Sequence, residues 1–381
     1  MNLLQQTLRQ PGSMEDLDET EWDLLIRQAR SAELLAHLYY RLSDAELFHC
    51  VPEKAWNHFN SEQILARKQQ EAALWETLQI ERMLAPLGIP VILLKGAAYL
   101  QAKLPSAAGR FFNDIDILVP KTLIQSVEEK LQQNGWLTTH HNEYDQRYYR
   151  KWMHEIPPLQ HIGRRSTIDV HHSILPLTAR LHPDPEKLIE SSIQVDPDYE
   201  LYILCPTDMI LHSATHLFHD GELEHGLRDL VDLDRLLRHF AQSDGFWNEL
   251  VQRSIELDLS LPLFYALRYT TKILDTPVPE NIVESDQLAR PSSVATRLMD
   301  SLFLRALAPA HKSCKDGFTP SARWLLYIRS HYLRMPPHLL LPHLFHKGFV
   351  RPYTEWKEAR AEGVTTTPKK IEKEAEIDIF K

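Results

Sequence analysis

Two apolar segments, VILLKG at residues 91–96 and AGRFFNDIDILVP at residues 108–120, decide how this chain folds. The first is short, rich in β-branched residues and leucine, and bounded by a proline and a glycine, which predicts a buried strand that ends in a turn. In the second, Asp114 and Asp116 alternate with isoleucines. Side chains in a strand alternate faces, so the two aspartates point the same way and the isoleucines point into a core. Paired carboxylates on one face predict a site for a divalent metal ion.

The composition is that of an ordinary globular protein. The chain has 381 residues, of which 43% are hydrophobic and 25% charged, with room for two domains or one elaborated domain. Its three cysteines form no CxxC pair, which argues against a disulfide framework or a zinc knuckle. The N-terminal segment lacks the basic and apolar regions of a signal peptide, and no stretch approaches the roughly 18 apolar residues of a membrane span. We therefore expect a cytoplasmic protein without a membrane span.

The charge of the chain limits its partners. A formal net charge of −10 argues against general nucleic-acid binding. Small molecules or a protein hydroxyl are the expected substrates. The sequence contains no internal repeat and gives no indication of oligomeric state.

The hydrophobic pattern changes along the chain from helical to mixed and back to helical. Apolar spacing predicts a helix capped by Thr20 and a second helix from Glu53 to Leu84, before the first strand. After DIDIL we expect a helix at 122–134, a strand at 136–139 and a hairpin at 154–172. From Asp208 onward the spacing is helical. The charged C-terminal tail is expected to be disordered.

These elements predict an α+β fold in which a small mixed sheet is flanked by N-terminal and C-terminal helical regions. The predicted organisation is a helical region at 1–85, a sheet-containing core at 86–205, a helical domain at 206–364 and the tail at 365–381.

A third carboxylate lies in STIDVHHS at residues 166–173. Asp169 and His171 share one face of this predicted strand, as the aspartates of DIDIL do. Three carboxylates from two neighbouring strands can hold Mg²⁺ or Mn²⁺, which take oxygen ligands and are shared with substrate phosphates. Metal ions so placed activate an attacking hydroxyl and neutralise a leaving pyrophosphate.

Together these residues resemble the uncharacterised nucleotidyltransferase family within the DNA polymerase β-like superfamily. The resemblance extends over roughly residues 85–240 and is carried by LKG at 94–96, Arg110, NDIDILV at 113–119, IDVH at 168–171, and the segments PTD at 206–208 and RDL at 228–230. It implies that Asp114, Asp116 and Asp169 are the catalytic and metal-binding triad and that Gly96 opens the turn that faces the phosphates of an NTP. The acceptor hydroxyl is not identified.

Four further residues are candidates to bind the nucleotide. Ala97 stands where the superfamily has Ser or Gly, so one phosphate-binding hydroxyl is absent, although backbone N–H groups remain at a helix N-terminus. Lys95 and Arg110 flank the turn and the DIDIL strand, and either contact the triphosphate or form surface ion pairs. His171 orients a carboxylate, touches substrate, or is a structural histidine.

Two other functions fit the same motifs. DxD also occurs in sugar-nucleotide glycosyltransferases, but the chain before residue 91 lacks the alternating strands and helices of such a domain. A catalytically weakened nucleotide-binding or scaffold protein is favoured by Ala97.

The histidines from His212 to His225 suggest a separate zinc or HD-type centre. The segment has no HExxH glutamate and no well-spaced partners for an HD site. A helix that packs behind the sheet, with Arg228 and Asp229 as an ion pair, is the favoured interpretation.

Overall fold

The structure, a computed structural model, describes residues 2–138, 143–221 and 223–340. These residues form one mixed sheet of seven strands with helices before, beside and after it, which confirms the α+β fold class. The predicted tail at 365–381 lies outside the described residues, as does the segment 341–364. The strands are β1 (Val91–Leu93), β2 (Asp114–Leu118), β3 (Trp136–Thr138), β4 (Leu159–His161), β5 (Thr167–His171), β6 (Ile193–Gln194) and β7 (Leu201–Ile203).

Four helices precede the sheet. They are α1 (Leu3–Arg9), α2 (Glu19–Ser31), α3 (Leu35–Asp44) and α4 (Glu53–Leu84). The bounds of α4 are those predicted. The predicted cap of α2 is wrong, because Asp18 rather than Thr20 caps it: the Asp18 carboxylate accepts from the Glu21 amide at 2.8 Å, and Glu21 accepts in return from the Asp18 amide at 3.1 Å.

The sheet has the order β3-β4-β5-β2-β1-β7-β6. β1 runs antiparallel to β2, whereas β2 pairs with β5, and β1 with β7, in parallel. The predicted strand at 136–139 and the hairpin at 154–172 are confirmed, because β3 and β4 pair antiparallel and β4 pairs in the same way with β5. The helices of this region are α5 (Lys95–Gln101), α6 (Ile124–Gln133), α7 (Glu143–Trp152) and α8 (Pro185–Glu190).

The rest of the described chain is helical, as predicted. It contains α9 (Pro206–Thr215), a π-helical turn (His216–Asp220), α10 (Gly226–Phe240), α11 (Phe246–Glu256), α12 (Ser260–Leu274), α13 (Glu280–Val283), α14 (Ser293–Ala306) and α15 (Thr319–Arg334). One hydrophobic core includes buried side chains from all three regions, such as Leu25, Ile117 and Leu236. The domain boundaries at residues 85, 205 and 364 stay predictions. In the part of the chain that the structure describes, no helix combines the length and apolarity needed to cross a membrane.

Candidate active site

The sheet brings the three predicted aspartates to one face. β2 and β5 are parallel neighbours, and their register pairs Asp116 with Asp169 and Asp114 with Thr167. Paired residues on adjacent parallel strands point to the same side of a sheet, on strands about 4.8 Å apart. The opposite face of both strands is apolar and buried, and carries Ile115, Ile117, Ile168 and Val170. The alternation read from the sequence is therefore the alternation that the sheet uses.

Asp116 is the best-connected carboxylate of the site. Its residue is only 6% exposed. Its Oδ1 atom lies 3.2 Å from Lys95 Nζ and 3.0 Å from His171 Nε2. Burial alone raises the pKa of Asp116, but the Lys95 charge and the His171 hydrogen bond outweigh burial and hold this pKa well below its ordinary value. Asp116 is therefore ionised throughout the physiological range.

His171 connects Asp116 to a second carboxylate. Its Nδ1 atom lies 3.4 Å from Glu155 Oε2, and Glu155 forms an isolated β-bridge with His171. His154, Glu155 and His171 each place a possible metal-ligand atom within 4.8 Å of the others. Glu155 was not predicted as a site residue, and its only signal in the sequence is its position at the start of the predicted hairpin.

Asp114 has the opposite electrostatic behaviour. It is exposed to solvent at the edge of a cavity, yet the protein around that cavity partly desolvates its carboxylate. This desolvation, followed by the charge of Asp116, raises the pKa of Asp114. Burial and the charge of Asp116 thus disfavour the ionised form of Asp114, and a bound cation would favour that form. The hard oxygen donors of the two carboxylates are those that Mg²⁺ and Mn²⁺ prefer, so the residues fit the ion that the family resemblance implies.

The junction between β1 and α5 places Lys95 beside the Asp116 carboxylate. Lys95 has a left-handed backbone, with φ of 46°, which is uncommon outside glycine and clusters at functional sites. The Leu94 amide donates to the Asp116 carbonyl at 2.9 Å, so the strand pairing continues up to the turn. Lys95 therefore leaves the sheet next to Asp116 and directs its ammonium to that carboxylate.

Gly96 is required by what packs against it. A Cβ atom at Gly96 would lie 2.8 Å from Arg110 Nε and 3.0 Å from Phe112 Cε1. Arg110 is held there by Asp232, with Asp229 at 3.8 Å. The glycine thus makes room for a buried, ion-paired arginine. A contact between Arg110 and phosphate stays a prediction.

Ala97 and the segment from His212 to His225 have different surroundings. Ala97 is 4% exposed and lies in the hydrophobic core. His212 is buried, and burial, followed by the charge of Lys95, holds its pKa well below the usual value. Arg228 and Asp229 form the predicted ion pair, at 3.0 Å. Within the described residues, the group able to hold a metal includes none of the histidines from His212 to His225.

Two histidines of that segment, His216 and His225, line the cavity. His216 does so from the π-helical turn, an element that often occurs at functional sites. His216 also bears on Asp116. After burial, Lys95 and His171, it is a further influence on the pKa of Asp116, which it lowers.

A cavity of about 840 Å³ opens beside these residues, a size typical of small-molecule sites. Five of the predicted site residues line it, namely Lys95, Gly96, Arg110, Asp114 and Asp116. Ala97, Asp169 and His171 do not line it. Glu155 and residues of α10 and α15 complete its walls.

Comparison with known protein families bears directly on these residues. The family described as uncharacterised nucleotidyltransferase matches residues 18–275. The chain belongs to this family. The family's description indicates a nucleotidyltransferase, which is a transferase with an NTP substrate. The match contains all the predicted site residues, but it ends before α15. No curated protein matches the sequence.

Proposed function

We propose that this family member is a polymerase β-like enzyme that transfers a nucleoside monophosphate from an NTP to a hydroxyl acceptor and releases pyrophosphate. The observation that carries the proposal is the pair Asp114 and Asp116, two carboxylates on one strand face at the edge of a cavity. The pKa of one is raised and that of the other lowered. Such a pair attracts a cation and, through it, a triphosphate.

In this proposal Asp114, Asp116 and Asp169 hold Mg²⁺ or Mn²⁺. A bound divalent ion supplies charge neutralisation at the phosphates and lowers the pKa of the attacking hydroxyl. The protein's part is to keep the ligands ionised and oriented. Lys95 and His171 do this for Asp116, and Glu155 orients His171 in turn.

The remaining predicted residues act on the substrates. Lys95 and Arg110 line the cavity beside the DIDIL strand, where each is ion-paired with an aspartate and in this proposal also donates hydrogen bonds to the nucleotide phosphates. Gly96 keeps the turn open to the nucleotide. In this proposal Asp169, which is in register with the cavity-lining Asp116 but not itself in the cavity wall, accepts the proton of an acceptor hydroxyl that reaches the DIDIL strand.

The alternative of a catalytically weakened nucleotide-binding or scaffold protein depended on Ala97. This side chain is buried in the core and does not line the cavity. The missing hydroxyl therefore removes no group from the cavity wall, which favours the active enzyme. Membership of a nucleotidyltransferase family likewise favours nucleotidyl transfer over a sugar-nucleotide glycosyltransferase.

Calorimetric titration with α,β-methylene-ATP, with Mg²⁺ or with EDTA, tests the proposal. We expect binding that needs Mg²⁺ and that weakens about tenfold or more in Asp114→Asn and in Asp116→Asn. Asp244→Asn, an exposed aspartate that does not line the cavity, is the matched control and is expected to bind like wild type. Equal binding in EDTA, or in the two site variants, argues against the proposal.

A further inference from the structure

The helix α15 adds a stripe of cationic and aromatic side chains to the cavity wall. Arg323, Tyr327, His331 and Arg334 recur at three- and four-residue steps and line the cavity. Such spacing places them on one face of the helix. A neighbouring face is buried against the protein and carries Ala322, Leu326 and Ser330. The helix therefore has a packing face and, beside it, a face turned to the cavity.

Close contacts fix the position of this helix. Gly221, with φ of 74°, lies so near that a Cβ atom would be 2.5 Å from Ser330 Cβ. Arg329 Nη1 donates to the Phe218 carbonyl at 2.7 Å, which ties α15 to the π-helical turn. At the other end, Thr178 Oγ1 donates to the Arg334 carbonyl at 2.8 Å. The stripe is thus held in place before any ligand binds.

The charges of the cavity are distributed unevenly. Arg110 is neutralised by Asp232 and Asp229, and Arg228 by Asp229 and Glu33. These pairs involve the helices before and after the sheet. They leave little positive charge near the DIDIL strand apart from Lys95, which Asp116 already neutralises.

The cations at and near α15 are different. Among residues 2–138, 143–221 and 223–340, no carboxylate forms an ion pair with Lys315, Arg323 or Arg334, all of which line the cavity. Glu224 acts on Arg323 from a distance, and the buried Nε atom of Arg323 has no hydrogen-bond partner in the described structure. Burial lowers the pKa of Arg323, whose Nη2 atom donates to the Ala308 carbonyl at 3.5 Å. A buried guanidinium without a carboxylate partner is unfavourable, and an anionic ligand relieves this cost.

We propose that Lys315, Arg323 and Arg334 bind phosphate groups of the acceptor substrate, with Trp324 on the same helix packing against its sugar or ring. This inference rests on the proposed function, in which the donor NTP is held at Asp114 and Asp116. Since Lys315 and α15 lie beyond residue 275, this subsite is outside the residues that the family match covers. The acceptor of this chain is then a phosphorylated molecule.

Inorganic phosphate is the first probe. The protein is saturated with α,β-methylene-ATP and Mg²⁺, and phosphate binding is measured by calorimetry. We expect wild type to bind phosphate and Arg323→Gln/Arg334→Gln to bind it about tenfold more weakly or worse, because charge-assisted hydrogen bonds are lost. Nucleotide affinity is expected to be unchanged. The control Arg290→Gln/Arg297→Gln removes the same charge from residues that do not line the cavity, and is expected to behave like wild type.

The outcomes separate this inference from the proposed function. Failure to bind α,β-methylene-ATP contradicts the proposed function, whereas a phosphate titration without nucleotide still reports on the subsite. The inference is overturned if wild type binds no phosphate, if the α15 variant binds it normally, or if nucleotide affinity falls in parallel. Arg323→Lys/Arg334→Lys, which keeps the charge, is expected to retain phosphate binding and excludes misfolding as the cause of a loss.

Two further probes identify the source of the phosphate. Glycerol 3-phosphate represents a small phosphorylated alcohol, and a single-stranded ribotrinucleotide represents a nucleic-acid end. Binding of either that weakens in Arg323→Gln/Arg334→Gln supports the subsite. Sensitivity of the trinucleotide to Trp324→Ala identifies the nucleic-acid end, because bases stack on aromatic side chains.

Discussion

Lys95 Nζ lies 3.2 Å from Asp116 Oδ1, across the junction where β1 passes into α5. The pair joins the residue with the strained backbone at that junction to the most buried carboxylate of the site. A strained φ persists only where the surrounding structure enforces it. We infer that the fold maintains this contact to keep Asp116 ionised.

Replacing Lys95 by methionine removes the largest influence that lowers the pKa of Asp116, and this pKa is expected to rise. Mg²⁺-dependent binding of α,β-methylene-ATP should weaken about tenfold, measured by calorimetry. Lys103→Met is the matched control. Lys103 also has a positive backbone φ, but its side chain is exposed and does not line the cavity. Unchanged affinity in Lys95→Met shows that the ion pair has no role in binding.

Asp169 and Glu155 have different proposed roles, and paired variants separate them. Asp169→Asn is expected to lower kcat about a hundredfold or more, because it removes a metal ligand and proton acceptor. Glu155→Gln is expected to cost about tenfold, because in this proposal Glu155 positions His171 and holds no metal ion. Steady-state kinetics over a range of Mg²⁺ concentrations measure both effects. If Glu155→Gln is the more damaging, Glu155 rather than Asp169 is the third carboxylate.

A methyl group at Gly96 tests how tightly Arg110 is held. Gly96→Ala is expected to lower the free energy of unfolding by about 1–3 kcal/mol, because the new Cβ overlaps the Arg110 side chain, which Asp232 fixes. Urea denaturation measures the change. Gly12→Ala adds a methyl group where nothing lies within 4 Å, and serves as control. Equal stability of the two variants means that Arg110 moves freely.

Acid should destabilise the fold through a buried histidine. Burial, followed by the charge of Lys121, lowers the pKa of His172 to about 4. Below the unfolded pKa of about 6.5, the unfolded chain binds the proton and the folded chain does not. Stability is therefore lost as pH falls from about 6.5 to about 4, and this loss levels off below that range.

His172→Gln isolates this effect. Urea denaturation at about pH 7.5 and about pH 5 is expected to show a fall in unfolding free energy that is smaller in the variant by about 1 kcal/mol, after allowance for solvent screening. His37 and His212, whose pKa values burial also lowers, continue to destabilise the variant in acid. An identical fall in both proteins contradicts the assignment to His172.

Local patterns in the sequence predicted the sheet and its polar face. The structure contains the elements that short-range signals predicted. These signals are the alternation in DIDIL and IDVH, the proline and glycine residues that end α4, and the turn of the hairpin between β4 and β5. The short strands β6 and β7 were not predicted. With two and three residues, they are too short to show a period. The equally short β1 was predicted from its composition and its bounding proline and glycine rather than from a period.

Contacts between distant residues were beyond the sequence pattern. Arg110 and Asp232 are 122 residues apart, and nothing local to either residue indicates that they pair. The same holds for the cations of α15 in the cavity wall, because tertiary packing alone brings them there. Glu155 differs, since the predicted hairpin at 154–172 places it opposite His171. The aspartates of DIDIL at the cavity could therefore be predicted from the sequence, whereas most of the other residues that line the cavity could be identified only from the structure.

The fate of each phosphate of the NTP distinguishes nucleotidyl transfer from other reactions. The protein is incubated with Mg²⁺ and NTP labelled on either the α- or the γ-phosphate, with glycerol 3-phosphate or a ribotrinucleotide as acceptor. We predict that α-label is transferred to an acceptor, that γ-label leaves as pyrophosphate, and that Asp114→Asn and Asp116→Asn abolish both while Asp244→Asn does not. Transfer of the γ-label, or a transfer that survives both aspartate substitutions, would contradict this prediction.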